Sequence, residues 1–369
     1  MIINSIFCSI LFNKLSGSIV CEKIFNLPNI NYYILSSFLL ISLSTRFLEG
    51  TSNNSDRYIS NSLFILSRLF FFFLYLNTLR NFIPETLYSS NIFFILPIYL
   101  PFYLDGGEFT GSYTLSSNSL IRKYLYKILK YSSQEIYIKN PSLYLNEPTL
   151  LGIHPHGLIP LGLVNNFSLN PDRKELFLKH IPHAFNYGMG TGATFNFFFP
   201  IIREFYLIVG AIDCSKPIMK KFLNKNYSIG VFIGGGRECK YSGFGKSDLI
   251  ITKRYGFFKL ALQTGRPILP IYTFGENNFF NAINKQKIFL FEFFHRITGL
   301  WFPFGYLSFK KTKIITVIGD PIFVEKIEKP TTKDIISLQN KYKINLTELF
   351  DHFKHLDESC KNNKLNFIE

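Results

Sequence analysis

An α/β domain with a mixed sheet flanked by helices, preceded by membrane-embedded helical segments, is the architecture this sequence predicts. Three observations carry it. Short apolar runs at 149–153, 206–212, 229–233, 268–274 and 314–318 alternate with helical patterns, notably 215–226 and 254–264, and such alternation builds a largely parallel or mixed sheet with helices packed on it. The first hundred or so residues carry longer apolar runs instead. Finally, 47% of the 369 residues are hydrophobic and 17% aromatic, yet the formal charge is +15. That pairing asks for apolar surroundings and an anionic partner together, which an anionic membrane surface supplies. A nucleic-acid binder would share the charge, but no Lys/Arg run or nucleic-acid motif is present, so no nucleic-acid partner is expected.

The length accommodates about two ordinary domains, and the change of pattern divides the chain into 1–104 and 105–369. In the first part Ile2–Phe12 is too short to span a bilayer and lacks a clear small-residue cleavage site, which argues against a signal peptide. Residues 31–43, NYYILSSFLLISL, form a second short run. The strongest, SLFILSRLFFFFLYLNTL at 62–79, is followed after a break containing Pro84 by NIFFILPIYLPFYL at 91–104. A spanning helix needs roughly 20 apolar residues, and Pro97 and Pro101 bend the second run. The pair therefore reads as a hairpin over 62–104 that dips into the membrane with both ends on one side, in which Arg68 must snorkel or face a partner. A buried core hairpin is the alternative.

In the second part RKYLYKILKYSS, 122–133, reads as a basic amphipathic helix suited to lie on a lipid surface. TTKDIISLQNKYKINLTELFDHFKHL, 331–356, carries a threonine N-cap and an early acidic residue and reads as a closing helix. The five cysteines, Cys8, Cys21, Cys214, Cys239 and Cys360, are scattered without a C-x-x-C pair. They suggest reduced thiols on a cytosolic face and neither a disulfide framework nor a zinc site.

Three constellations carry chemistry. In LLGIHPHGLIPLG, an apolar strand ends at Ile153 where α/β folds place ligands. An extended chain projects His154 and His156 to the same side. Pro155 stiffens the turn, and Gly157 allows close approach of backbone or ligand. A neutral imidazole there accepts a proton from a hydroxyl at neutral pH; a pair of structural histidines is the plain alternative. A zinc site would need further ligands, and His183 is the sole nearby candidate, without a partner motif. In SIGVFIGGGRECKY, 228–241, a strand runs into Gly234, Gly235 and Gly236, then Arg237 and Glu238. Backbone amides after a strand bind phosphate or a developing oxyanion, and Glu238 is placed to orient a histidine. The third, KRYGFFKLALQTGRPILPIYTFGEN at 253–277, sets Arg254 and Lys259 at the start of a helix. From Asp213 to Lys259 basic residues outnumber acidic ones about three to one, a field suited to phosphates. No Walker A pattern, G-x-G-x-x-G after a strand or G-x-S-x-G elbow occurs, which argues against kinase, dehydrogenase and α/β-hydrolase readings.

In one order, DGGEFTGS (105–112), HPHG (154–157), FPIIREFYLIVGAID (199–213), GGGRE (234–238), RYGFFKLALQTG (254–265), FGEN (274–277) and VIGDPIFVEKIEKPTTKDI (317–335) resemble the acyl-CoA:diacylglycerol acyltransferase family of the type-2 kind, which includes monoacylglycerol and wax-alcohol acyltransferases. The resemblance covers roughly 98–356. It implies transfer of a fatty acyl group from acyl-CoA to a lipid hydroxyl, on the cytosolic side of the endoplasmic reticulum membrane and at lipid droplets in some members. It also implies a catalytic domain over 105–369 with a fold similar to the glycerolipid acyltransferases. Diacylglycerol and membrane lipids are then the partners, and a homo-oligomer is left open. Acyl-CoA is a co-substrate, and no cofactor or metal is expected. Glycerolipid acyltransferases place an acid four residues after the histidine, where this chain has Pro160 after His156, so Glu238 is the expected partner from a neighbouring strand end. Small residues are more usual in the family where Gly236-Arg237 stand. On this reading His156 is the general base, Glu238 holds or charges its imidazole, and His154 fixes the turn or donates to the oxyanion. Amides near Gly157, Gly234 and Gly235 stabilise the intermediate, and Arg254, Lys259, Arg203 and Arg237 contact acyl-CoA. Transfer is direct, since neither Cys214 nor Cys239 has a nucleophile's context. A histidine-metal lipid hydrolase and a non-enzymatic lipid-binding protein are the alternatives of a different class.

Overall fold

The computed structural model describes residues 68, 69, 72, 99–111, 120–129, 134–158, 160–170, 179–183, 190–192, 194–282, 305–308 and 313–368. The chain forms two compact units: one of residues 1–106, 194–204 and 288–300, the other of 107–193, 205–287 and 301–369.

The second unit is built on a five-stranded sheet of β1 (Gln134–Ile138), β2 (Leu150–His154), β3 (Ile229–Phe232), β4 (Ile268–Phe274) and β5 (Ile314–Ile318), in the order β1-β5-β4-β2-β3. Only the β5–β4 pair is antiparallel. The sheet is thus mixed and dominated by parallel pairs, with helices on it, as the alternating pattern predicts. In β4 every residue is buried, the signature of a central strand covered on both faces. The register sets Ile153 beside Phe232 and His154 beside Tyr272, so the carboxyl ends of β2, β3 and β4 lie together.

The longer helices among the described residues of this unit are α1 (Leu120–Leu129), α2 (Ile202–Ile208, whose first turn belongs to the other unit), α3 (Lys216–Asn224), α4 (Tyr255–Thr264) and α5 (Thr332–Phe353). α5 opens on Thr331, whose hydroxyl accepts from the Asp334 amide while the Asp334 carboxylate accepts from the Thr331 amide, a capping box that contributes about 1 kcal/mol. α4 ends on Gly265, whose φ of 64° is the left-handed value a helix stop requires. The expected strand at 206–212 is corrected: its first residues finish α2, and only Ala211–Asp213 is extended. A short apolar run does not by itself separate the two states. A further finding is the π-helical segment Gly162–Leu169, all eight residues of which are buried.

One face of the sheet, through Leu150, Ile229, Ile268, Tyr272, Phe274, Ile315 and Val317, packs on α3, α4 and α5 through side chains such as Phe222, Phe258, Leu349 and Phe350. The other, through Leu151, Ile153, Leu269, Ile271 and Ile318, packs on Phe167 of the π-helical segment and on Leu143, Leu145 and Ile181. At roughly 1.5–3 kcal/mol for each fully buried apolar side chain, the first face is the larger source of stability.

In the first unit Arg68 does face a partner: its guanidinium donates to Phe197 O at 2.8 Å and lies 4.9 Å over the Tyr103 ring. The remainder of the expected hairpin, apart from residues 69, 72 and 99–104, lies outside the described residues. Among the described residues no helix is long and apolar enough to cross a membrane.

Candidate active site

β2 ends at His154 and the chain turns through Pro155, the His154–Pro155 peptide being cis. The two histidines part there. His154 is fully buried and its Nε2 lies 3.0 Å from the Tyr342 hydroxyl of α5. That hydroxyl stands 3.2 Å from Gly152 O. A phenol has one proton. Given to the Gly152 carbonyl, it leaves His154 Nε2–H as the donor to the phenol oxygen. A Cβ at position 152 would collide with Tyr342, so glycine is required for this approach. Burial drives His154 down to about 3, and the ring is neutral. His154 therefore anchors the strand end to the helix layer.

His156 is half-buried, with its ring 5.0 Å edge-on from Phe232. The expected common side for the two imidazoles is corrected: Tyr342 and Phe232 belong to opposite layers of the sheet. His156 Nδ1 is 2.8 Å from Gly157 O. A carbonyl only accepts, so the proton sits on Nδ1 and the lone pair on Nε2. Nε2 makes no hydrogen bond among the described residues. Burial pushes the imidazole below its ordinary value, opposed by the bond to Gly157. Cys239 Sγ lies 3.4 Å from Nδ1 and donates to the same carbonyl. Its thiol is buried and pushed up by desolvation and by the Glu238 charge, so it stays protonated.

Glu238 reaches this loop from the short helical turn Gly236–Tyr241 that follows β3. Its contact is with backbone and not with the imidazole, which corrects the expected pairing. Oε1 accepts from the His156 N–H at 2.7 Å and Oε2 from the Ile250 N–H at 2.9 Å. Desolvation raises the carboxyl to about 7 in spite of these bonds and the Arg254 charge. A Cβ on Gly234 would collide with Oε2, so that glycine makes room for the carboxylate. Gly235, at φ 63°, turns the chain, and its N–H is spent on Phe232 O at 3.0 Å. It is therefore no oxyanion donor. Among the described residues no hydrogen bond engages the amides of Gly157 or Gly234.

The basic residues disperse. Arg203 is buried in the first unit, bound to Asp105 at 2.6 Å and to Phe102 O at 2.8 Å; that ion pair occupies it, and the expected acyl-CoA contact is not supported. Arg254 donates to Gly234 O at 2.7 Å and braces the glycine turn. Arg237 is half-buried on that turn. Lys259 is exposed on α4, and Lys216 and Lys220 are exposed on α3, which packs on α4. Lys216 is held below its usual range by partial burial and by the charges of Lys259 and Lys220. None of the three lysines has an ion-pair partner among the described residues.

One carboxylate of the FGEN run has no role assigned from the sequence. Glu276, first residue of the turn after β4, is buried and accepts from the amides of Leu161 and Gly162 at 2.6 and 2.8 Å. An acid one residue beyond a largely apolar strand is the available signal. His183 Nδ1 bonds Asn226 O at 3.1 Å. No group of three or more His, Cys, Asp or Glu suited to a metal stands together among the described residues.

The sheet thus presents, at the carboxyl end of β2, a histidine with one ring nitrogen held by a carbonyl and the other without a hydrogen bond among the described residues, beside a glycine turn. The model of the family described as diacylglycerol acyltransferase matches residues 86–368, and the chain belongs to that family. Human 2-acylglycerol O-acyltransferase 1 is 30% identical over 59% of this chain and 68% of its own. Diacylglycerol O-acyltransferase 2A of Umbelopsis ramanniana is 30% identical over 63% and 69%, and human diacylglycerol O-acyltransferase 2 is 32% identical over 59% of each. Among solved structures, the 1-acyl-sn-glycerophosphate (LPA) acyltransferase PlsC of Thermotoga maritima matches with a TM-score of 0.35 and 17% identity, covering 70% of this chain and 93% of that one. At that score the likeness adds nothing to the fold described above.

Proposed function

We propose that the protein transfers a fatty acyl group from acyl-CoA to the free hydroxyl of diacylglycerol, giving triacylglycerol and CoA, with His156 as general base. The observation that carries the reading is the His156 imidazole: Nδ1–H is held by Gly157 O at 2.8 Å, and Nε2 is left open. The carbonyl does here what a carboxylate does in a hydrolase triad, selecting the tautomer and fixing the ring. Glu238 acts as a positioning residue that pins the histidine's own amide.

Nε2 takes the proton of the acceptor hydroxyl as the oxygen attacks the thioester carbonyl. The carbonyl oxygen gains the charge and is stabilised by the amides of Gly157 and Gly234. Collapse breaks the carbon–sulfur bond, CoA leaves as thiolate, and the imidazolium returns its proton to the sulfur. No acyl-enzyme is formed, because the Cys239 thiol is buried and held protonated. Lys216, Lys220 and Lys259 supply the unpaired positive charge for the CoA phosphates. The segments of 1–104 hold the catalytic unit at the endoplasmic reticulum membrane, on the cytosolic side, or at lipid droplets. The exposed Leu120, Ile121 and Tyr124 of α1, beside Lys123 and Lys127, suit an anionic lipid surface.

The test is expression of the wild type and His156→Ala in a host lacking neutral-lipid synthesis, with labelled acyl-CoA and diacylglycerol, monoacylglycerol or long-chain alcohol. Labelled triacylglycerol from the wild type alone is the expected result. A different labelled ester moves the acceptor, and no ester from any acceptor with folded, membrane-bound protein overturns the reading.

A further inference from the structure

Glu238 accounts for one end of the loop that carries the general base. The other end is held from a different strand. Gly275, at φ 84°, turns the chain out of β4, and a Cβ there would collide with the Lys313 carbonyl. The turn delivers Glu276 beneath the histidine loop. Its stem lies against Gly157, where an added Cβ would sit 2.9 Å from Glu276 Cγ. Its two oxygens accept from the amides of Leu161 and Gly162 at 2.6 and 2.8 Å. Those amides open the π-helical segment Gly162–Leu169 and have no acceptor within it. Position 162 is closed first by Thr273, whose Cγ2 and Oγ1 an added Cβ would meet at 2.6 and 2.7 Å, and then by Glu276 Oε2 at 3.0 Å.

We propose that Glu276 is a positioning residue: by fixing Gly157 with its stem and the amides of Leu161 and Gly162 with its carboxylate, it sets the place of the His156 imidazole. Gly157 is the pivot. Its carbonyl selects the His156 tautomer at 2.8 Å from Nδ1, and its φ of 59° lies in the left-handed region that favours glycine. A shift of about 1 Å in a catalytic group is enough to cost on the order of 10²-fold in rate. The two carboxylates thus act from opposite sides, Glu238 on the His156 amide and Glu276 on the chain that follows. Burial raises Glu276 to about 8 against the pull of its two amide bonds. A carboxyl held in so dry a place is destabilising on its own account, and the amide bonds it makes are what the position supplies in return.

The inference rests on His156 being the base, so its experiment has an arm that does not. Glu276→Gln puts an amide N–H₂ against one of two N–H donors and leaves that donor unsatisfied; Glu276→Asp keeps the carboxyl group and shortens the reach. Both are measured for kcat, for KM toward acyl-CoA and, by mass spectrometry, for amide exchange over 156–162. Expected for Gln is a fall in kcat of about tenfold or more with KM within about twofold, exchange faster only over 156–162, and a smaller fall in kcat for Asp. A folded Gln variant with unchanged kcat and exchange, or one that raises KM alone, overturns the proposal. If Gln does not fold, Asp is judged by the same criteria. If the wild type transfers no acyl group, the function proposed above falls, and exchange decides the clamp: faster over 156–162 upholds it and unchanged overturns it.

Discussion

The two faces of the central sheet share their strands and differ in what they bury. Against α3, α4 and α5 the face is almost wholly apolar, a stack of Phe222, Phe258, Tyr272, Leu349 and Phe350 into which polar groups such as the His154–Tyr342 pair and Gln339 are inserted with hydrogen-bond partners. Against the π-helical segment the face includes Asn165, Asn166, Ser168 and Asn170, all buried, with Asn166 Nδ2 donating to Thr316 Oγ1 at 2.7 Å and Thr316 sharing a 3.2 Å bond with Thr273. One layer supplies apolar burial, the other accepts polar groups in order to support the loop that carries His156. Two histidines separated by a single residue fall on opposite sides of that divide. Residue type and spacing therefore do not assign their roles; packing does.

The sharpest way to break the comparison is to remove each histidine in turn. His156→Ala is expected to lower kcat by about 10²–10⁴-fold, the span of general-base catalysis, with little change in thermal stability, since the ring is half-buried and its bond is local. His154→Ala removes a fully buried ring and the donor to the Tyr342 oxygen, so it should destabilise by about 2–4 kcal/mol while residual folded enzyme keeps its KM. Paired activity and melting measurements read both; equal stability losses would mean that the two sites are not functionally separate.

The apolar layer itself sets the next size of effect. Phe350→Ala, fully buried between Tyr272 and Phe274 at ring separations of 5.1 and 5.4 Å, should cost about 3–5 kcal/mol. Asn166→Ala on the other layer should cost less, about 1–3 kcal/mol, by leaving Thr316 short of a donor. Denaturant midpoints rank the two, and the reverse order would contradict the division drawn between the faces.

Much of this is legible in the amino-acid sequence. β2, β3, β4 and β5 are continuous apolar runs bounded by turns, and burial on both faces is what makes such runs visible. β1 escaped because QEIYI is an edge strand with exposed Tyr137 and part-exposed Glu135, so its pattern carries too few apolar residues. The π-helical segment escaped for the opposite reason: its asparagines look like a solvated loop, and only their partners on the sheet show that they are buried. At the site, HPHG and Glu238 were readable as a pair, but that the carboxylate meets an amide and not a ring depends on the turn at Gly234 and Gly235. Arg203 and Lys259 are the same kind of residue in sequence; one is spent on Asp105 and the other is open.

Buried titrating groups sharpen the comparison by pH. Glu238 and Glu276 are raised from 4.5 to about 7 and about 8, so the folded state holds protons the unfolded state releases, and their contribution to stability falls as pH rises from about 4.5 to 8. His154 and His156 are lowered from 6.5, so their contribution is lost as pH falls below 6.5. Between 4.5 and 6.5 the two oppose each other; above 6.5 only the carboxylates change. Stability should then fall by about 2–3 kcal/mol from pH 6.5 to 8, and Glu276→Gln should flatten much of the slope. Activity has a separate signature, an acid limb below pH 6.5 from His156, with no alkaline limb from Cys239.

The smallest expected effect lies outside both layers, on the lysines of α3 and α4. Lys216 and Lys220 stand one helical turn apart and Lys259 faces them closely enough that Lys216 is held below its usual range by burial and by the charges of both. Such like charges repel one another, and none of the three has an ion-pair partner among the described residues; in the proposed reaction they meet the CoA phosphates. α3 starts just after Asp213 and α4 just after Arg254, which itself braces Gly234. Changing all three lysines to alanine should raise KM for acyl-CoA by about 3–10-fold, leave kcat unchanged and weaken the salt dependence of KM, at exposed-charge energies of about 1 kcal/mol or less each. Dephospho-CoA thioesters give the control: if the variant still distinguishes them from acyl-CoA as the wild type does, these lysines do not meet the phosphate. Loss of that distinction with kcat intact would place the donor's charged end on α3 and α4 and leave the reacting carbonyl to the opposite layer, where His156 stands.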